Sequence, residues 1–210
     1  PFNMQLAKQS YSKNSFILKC NEILGSTNRS LNIITLLFKP SNKSKDIIEA
    51  FERTNFKVNK DFGEIVELFV KYFTHKEERE VYFYLMQHPI YEEVYFIFSF
   101  NGISDIYRTL FGTINSLSDL EYLWLSPFHF DVLKEQILNN EGSYMTYFSG
   151  QSMGTGKEEC KRPMFARKIT YEAEDAKITS EELRFEYGIL PQTIEFVIPG
   201  ISKFRINKKG

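Results

Sequence analysis

The sequence predicts an α+β domain: a mixed β-sheet with helices, arranged as repeated helix–strand units of βαβ-like character, followed by an antiparallel, β-rich C-terminal extension. Three observations carry that expectation. Apolar and aromatic runs of strand length recur, as at residues 81–86 and 94–100. Segments with apolar residues at i, i+3, i+4 and i+7 alternate with them. Beyond residue 163 the pattern turns to short alternating runs, at 164–171, 193–198 and 201–206.

The composition suits such a fold. Of 210 residues, 42% are hydrophobic and 25% charged, which excludes collagen-like, low-complexity and wholly disordered chains. Twenty Phe and twelve Tyr against one Trp predict a large aromatic core. The net charge of −1 removes the simplest argument for nucleic-acid binding. Charge is nevertheless uneven along the chain, with a net of +6 over residues 1–60, −9 over 61–156 and +2 over 157–210.

Taken in order, Phe16, Ile17 and Leu18 and then residues 33–38 read as buried strands. Ile47, Ile48 and Phe51 sit at helical spacing and predict a short helix ending near Thr54. A longer helix is predicted from Ile65, Val66, Leu68, Phe69, Tyr72 and Phe73, with Asp61 and Glu64 spaced as a capping box. Strands follow at 81–86 and 94–100 around Pro89. A helix then carries Ile106, Tyr107, Leu110, Phe111 and Ile114 on its buried face, and 120–125 re-emerges as a strand. Ser126 caps a further helix with Pro127 at its first position, where the missing N–H costs nothing. Phe130, Val132, Leu133 and Ile137 are expected in its core face, and 144–148 forms the next strand. A shift of 38 residues aligns Ile65 with Ile103 and Phe73 with Phe111, a pattern that an internal duplication would leave and that two generic helix–strand units also produce. Thr179 and Glu182 predict a short helix that stops at Gly188.

The expected organisation is a core over residues 1–149, a Gly-rich basic loop over 150–162, and a β-rich part over 163–210 packed on the same domain. The start at Pro1 and the turn residues Asn207 to Gly210 suggest a piece of a longer protein. Two cysteines, Cys20 and Cys160, make no disulfide framework. With no signal peptide and no run of 18 apolar residues, a cytoplasmic setting without membrane insertion is expected.

The candidate sites are few. Lys157, Lys161, Arg162, Arg167 and Lys168 form a basic segment beside glycines whose N–H groups can hold an anion or a nucleic-acid backbone. The P-loop pattern fails there: Gly150 is one residue too far from Gly156-Lys157, and Glu158 stands where the hydroxyl belongs. Cys160, flanked by Lys161 and Arg162, is the candidate reactive thiol. His75, His88 and His129 lack ligand spacing, so no metal and no cofactor is expected. The Glu-x-Lys and Asp-x-Lys elements at 159–161 and 175–177 occur at the frequency chance allows. The aromatic band from Tyr82 to Phe100 has Glu80, Glu92 and Glu93 beside it instead of cations, which favours core packing over base stacking.

These features lean away from an enzyme. They point to a binding or regulatory module within a larger protein, engaging a protein partner, a ligand or the remainder of its own chain. The alternative is a nucleic-acid-associated, nuclease-like module using residues 157–168.

Overall fold

A computed structural model describes every residue except 1, 76, 153–159, 163, 164, 201 and 210. The chain divides into two units, Pro1–Leu123 and Trp124–Gly210. The first contains α1 (Lys13–Ser26), β1 (Asn32–Phe38), α2 (Ile47–Glu52), β2 (Phe56–Asp61), β3 (Ile65–Phe73), β4 (Glu78–Gln87) and β5 (Val94–Ser99). It continues through α3 (Ile103–Ile106), a π-helical turn (Tyr107–Phe111), α4 (Gly112–Ser116) and β6 (Leu120–Tyr122). Its six strands lie in the order β2-β3-β4-β5-β1-β6. The second unit holds α5 (Pro127–Leu138), β7 (Tyr144–Ser152), β8 (Arg167–Glu172), α6 (Ala176–Tyr187), β9 (Leu190–Ile198) and β10 (Ser202–Asn207), with the sheet order β10-β9-β7-β8.

The α+β class and the β-rich C-terminal part are therefore present. The expected mixture of parallel and antiparallel pairing is not, because every pairing between these strands is antiparallel. The βαβ expectation assumed that the helical run 103–116 links parallel neighbours. Instead it connects β5 to β6, which flank β1 and both run antiparallel to it.

The largest departure is β3, expected as a helix. Val66, Leu68 and Val70 face one apolar cluster, beneath α2 and the 103–116 run, while Ile65 faces a second cluster beneath α1. A strand buried on both faces needs apolar residues at successive positions, and such a run contains helical spacing within it. The Asp61 and Glu64 pattern serves another end: Asp61 Oδ1 accepts the Gly63 N–H at 2.7 Å, and Glu64 Oε2 accepts the Lys13 N–H at 2.8 Å. The 38-residue match thus aligns a strand with a helical run and reflects shared apolar content, not a repeated fold.

The converse holds at Phe16, Ile17 and Leu18, expected as strand and found in α1. Ser12 caps this helix by accepting the Ser15 N–H. Phe16, Cys20 and Ile23 turn inward at i, i+4 and i+7, leaving Ile17 and Leu18 exposed. Burial pushes the Cys20 thiol up to about 12, which makes it inert.

Within the run 103–116, Ile106, Leu110 and Ile114 are buried as expected. Tyr107, expected inside, is 56% exposed. The wider π-helical turn stacks its ring on Phe111 at 4.4 Å, and Phe111 stacks on Tyr122 at 5.1 Å. Asp119, just before β6, is buried and takes Ser41 Oγ and Arg53 at 3.0 Å each. Burial works to raise its pKa. Hydrogen bonds from Ser118, Ser41 and Ser44, with the Arg53 charge, outweigh that and hold it below the usual carboxylate range.

The uneven charge along the chain largely cancels within each unit. Residues 1–123 hold fourteen Lys and Arg against fifteen acids, and residues 124–210 hold twelve of each. Lys39–Glu121 and Arg53–Asp119 are pairs between the basic first third and the acidic middle.

In the second unit, Phe130, Met145, Phe148, Ala176, Ile189, Ile194 and Phe196 form the core between the sheet and the two helices. β7, expected with the first 149 residues, belongs to this sheet, paired with both β8 and β9. Val132 is exposed, and Leu133 and Ile137 are only half-buried, so α5 offers Phe130 as its one fully buried side chain. Thr179 and Glu182 lie inside α6, which already begins at Ala176. Gly188 ends it in the left-handed conformation at φ 64°, as expected.

Candidate functional site

The basic segment gathers at the C-terminal end of α6, apart from Lys157, which lies outside the described residues. The Lys161 N–H donates to the Glu186 carbonyl at 2.6 Å, and Lys161 Nζ pairs with the Glu186 carboxylate at 2.9 Å. That hydrogen bond raises the Lys161 pKa. Two cations lie against the Tyr187 ring: Lys161 Nζ at 5.7 Å and the Arg167 guanidinium at 5.1 Å from the ring centre. Arg162 adopts φ 53° and its carbonyl accepts the Phe165 N–H at 3.3 Å. A cavity of about 550 Å³ opens between Arg162, Phe165 and Arg167. Lys168 follows on β8, exposed.

The structure thus brings Lys161 and Arg167 together on Tyr187 and lines a cavity with Arg162 and Arg167. Helix carbonyls and Glu186 already attract Lys161, so part of the basic charge neutralises the end of α6. Cys160 is half-buried, with its sulfur 3.2 Å from where a Cβ on Gly188 would sit. Gly188→Ala is expected to cost about 1–2 kcal/mol through its left-handed backbone, with the Cys160 contact adding to that. Melting temperatures of Gly188→Ala and Gly200→Ala check this, because Gly200 has φ 75° but open space around it. The larger loss is expected at Gly188.

A hydroxyl–imidazole pair does occur, with Ser126 Oγ 3.1 Å from His129 Nδ1. It is a helix cap. Nδ1 accepts the Ser126 N–H at 3.1 Å while Ser126 Oγ accepts the His129 N–H at 3.4 Å, so the imidazole lone pair is engaged. His88 Nδ1 likewise accepts the Ile90 and Tyr91 N–H groups. Among the described residues, no group of three or more His, Cys, Asp or Glu is placed to hold a metal ion. Also among these residues, no helix is long and apolar enough to cross a membrane.

A second surface was not expected. Asp131 of α5 pairs with Arg184 of α6 at 2.6 Å, and Lys134 of α5 pairs with Glu181 of α6 at 3.0 Å, setting the helices side by side and antiparallel. Phe130, Leu133 and Ile137 face the sheet from α5, and Ala176, Ser180, Leu183 and Tyr187 face it from α6. At 100° per residue, Phe128 and Val132 fall on the opposite side of α5, and Ile178 and Phe185 on the opposite side of α6. Phe128 is 70% exposed, Phe185 86% and Ile178 60%. The sequence did hold the signal: Ile178 and Phe185 are seven residues apart, out of phase with the buried set.

Residues 129–209, nearly all of the second unit, match the family described as AF_0896_M: family middle domain. Over 179 residues the chain is 28% identical to an uncharacterized protein of Archaeoglobus fulgidus, covering 83% of this chain and 47% of that protein. The chain thus spans about half the length of that relative. No solved structure matches it.

Proposed function

We propose that the chain is a non-catalytic binding module within a longer cytoplasmic protein, and that its contact surface is the outer face of the α5–α6 layer. The observation that carries this is the pair Phe128 and Phe185, two large rings held in water on helices whose opposite side packs on the sheet. Covering both removes on the order of 300 Å² of apolar surface from water, roughly 7 kcal/mol before the costs of association. Aromatic anchors ringed by charge are the usual centre of a protein contact. The ion pairs Asp131–Arg184 and Lys134–Glu181 supply that charge.

The occupant we infer is polypeptide from the remainder of the longer protein. The family name describes a middle domain, and the Archaeoglobus relative has as much sequence outside the match as inside it. The free cysteines, one of them inert, suit a reducing compartment. A photoreactive phenylalanine analogue at position 185 of the intact gene product tests the proposal. A cross-link to a peptide of the same polypeptide is expected, and it should be lost in Phe128→Ser. Cross-links to nucleic acid alone, or none, would overturn the reading.

The cavity between Arg162, Phe165 and Arg167 favours a second reading, an anion or nucleic-acid site that also uses Lys161 and Lys168. Oligonucleotide binding with a steep salt slope, weakened by Arg162→Ala at unchanged melting temperature, is its expected signature. Absence of binding at low ionic strength would remove it.

A further inference from the structure

We propose that two copies of this chain associate through the outer edge of β8, which pairs with no second strand among the described residues, joining their four-stranded sheets into one continuous antiparallel sheet. β8 lies at the end of the order β10-β9-β7-β8 and pairs with β7 through six successive positions without a register break. Its residues, Arg-Lys-Ile-Thr-Tyr-Glu, include neither proline nor glycine. Sheet edges are protected by bulges, prolines, covering segments and charged side chains; β8 has no bulge and no proline, and its charges Lys168 and Glu172 are the groups that self-pairing sets opposite one another. At the other end of the sheet the Leu125 N–H donates to the Lys208 carbonyl just beyond β10.

Symmetry restricts how β8 can meet its own copy. Hydrogen-bonded and non-bonded pairs alternate along an antiparallel ladder. A two-fold axis normal to the sheet must therefore pass through a residue paired with itself. With Thr170 on the axis, Lys168 faces Glu172 of the other copy, Ile169 faces Tyr171, and Thr170 faces Thr170. These are opposite-charge, β-branched–aromatic and Thr–Thr pairs, the kinds that stabilise neighbouring strands, and each unlike pair occurs twice. An axis through Ile169 instead sets Lys168 against Thr170 and Arg167 against Tyr171, with no ion pair. Lys168 and Glu172 make no ion pair within the chain among the described residues, whereas Arg167 is committed to Tyr187. Lys168, Thr170 and Glu172 are exposed, while Ile169 and Tyr171 are half-buried at the rim of the core, where a second copy would complete their burial.

Sedimentation equilibrium of the 210-residue chain tests this. A monomer–dimer equilibrium is expected. Lys168→Glu and Glu172→Lys each set like charges opposite one another at two symmetric positions and should weaken the dimer about tenfold or more. The double exchange Lys168→Glu/Glu172→Lys restores opposite charges and should recover it. Because both side chains are exposed, circular dichroism and melting of the single variants should match the parent. Phe128→Ser/Phe185→Ser should leave the dimer intact, which separates this contact from the α5–α6 surface. A monomer at the highest attainable concentration, a failed charge exchange, or a dimer lost in the double Phe variant would overturn the proposal.

Discussion

Leu110→Ala is expected to lower the stability of the first unit by about 2–5 kcal/mol. Leu110 is fully buried in the π-helical turn and lies in the cluster with Leu36, Leu68, Phe83 and Ile97. Truncation leaves a void that strands fixed by hydrogen bonds on both sides cannot close, so the loss exceeds the transfer energy of the removed methyl groups. Tyr107→Ala, three residues earlier but exposed, should cost about 1 kcal/mol or less, the worth of its stack on Phe111. Urea midpoints of the two variants provide the comparison. Equal losses would mean that the helical face is assigned wrongly.

The second large effect is expected at Glu195, whose side chain is 5% exposed in the middle of the second sheet. Its carboxylate accepts from Arg205 Nε at 2.6 Å, Lys203 Nζ at 2.7 Å and Thr146 Oγ1 at 2.7 Å. The Arg205 guanidinium also lies 4.3 Å from the Tyr147 ring centre. Glu195→Gln keeps the shape but removes the charge that holds these donors. About 1–3 kcal/mol should be lost, limited by the freedom of half-exposed Lys203 and Arg205 to reach water. Burial alone would raise the Glu195 pKa. The hydrogen bonds from Lys203, Thr146 and Arg205, with the Arg205 charge, prevail and lower it. A depressed folded-state pKa stabilises the fold above the unfolded value of about 4.3 and loses that contribution as pH falls through the folded one. Stability of the parent should therefore drop below about pH 4.5 more steeply than that of Glu195→Gln. Parallel pH profiles would show that the carboxylate is not held as described.

How much of this is legible in the sequence depends on what surrounds each residue. Ser126-Pro127, Gly188 and the spacing of Ile106, Leu110 and Ile114 act locally, through caps, backbone conformation and one buried face, and all three were readable. β3 was not, because its apolar run reports burial on two faces, and only the six-stranded sheet shows which neighbours bury them. α1 was misread for the opposite reason: Ile17 and Leu18 are apolar but exposed, so the short run Phe16 to Leu18 imitates a strand. The basic residues from Lys161 to Lys168 were legible as a cluster. That Glu186 and Tyr187 engage Lys161 and Arg167 was not, since those partners lie about 20–25 positions downstream. The outer face of α5 and α6 escaped because Val132 was assigned to the core, and because Thr179, Glu182 and Gly188 mark only the ends of a helix and say nothing of which face Phe185 occupies.

Hydroxyl-radical footprinting of the intact gene product against the isolated 210-residue chain tests the binding surface most directly. Phe73, on the first unit and 79% exposed, serves as the internal reference. The account predicts that Phe128 and Phe185 are oxidised readily in the isolated chain and protected in the intact product, while Phe73 reacts alike in both. Equal oxidation of Phe128 and Phe185 in the two samples would contradict it.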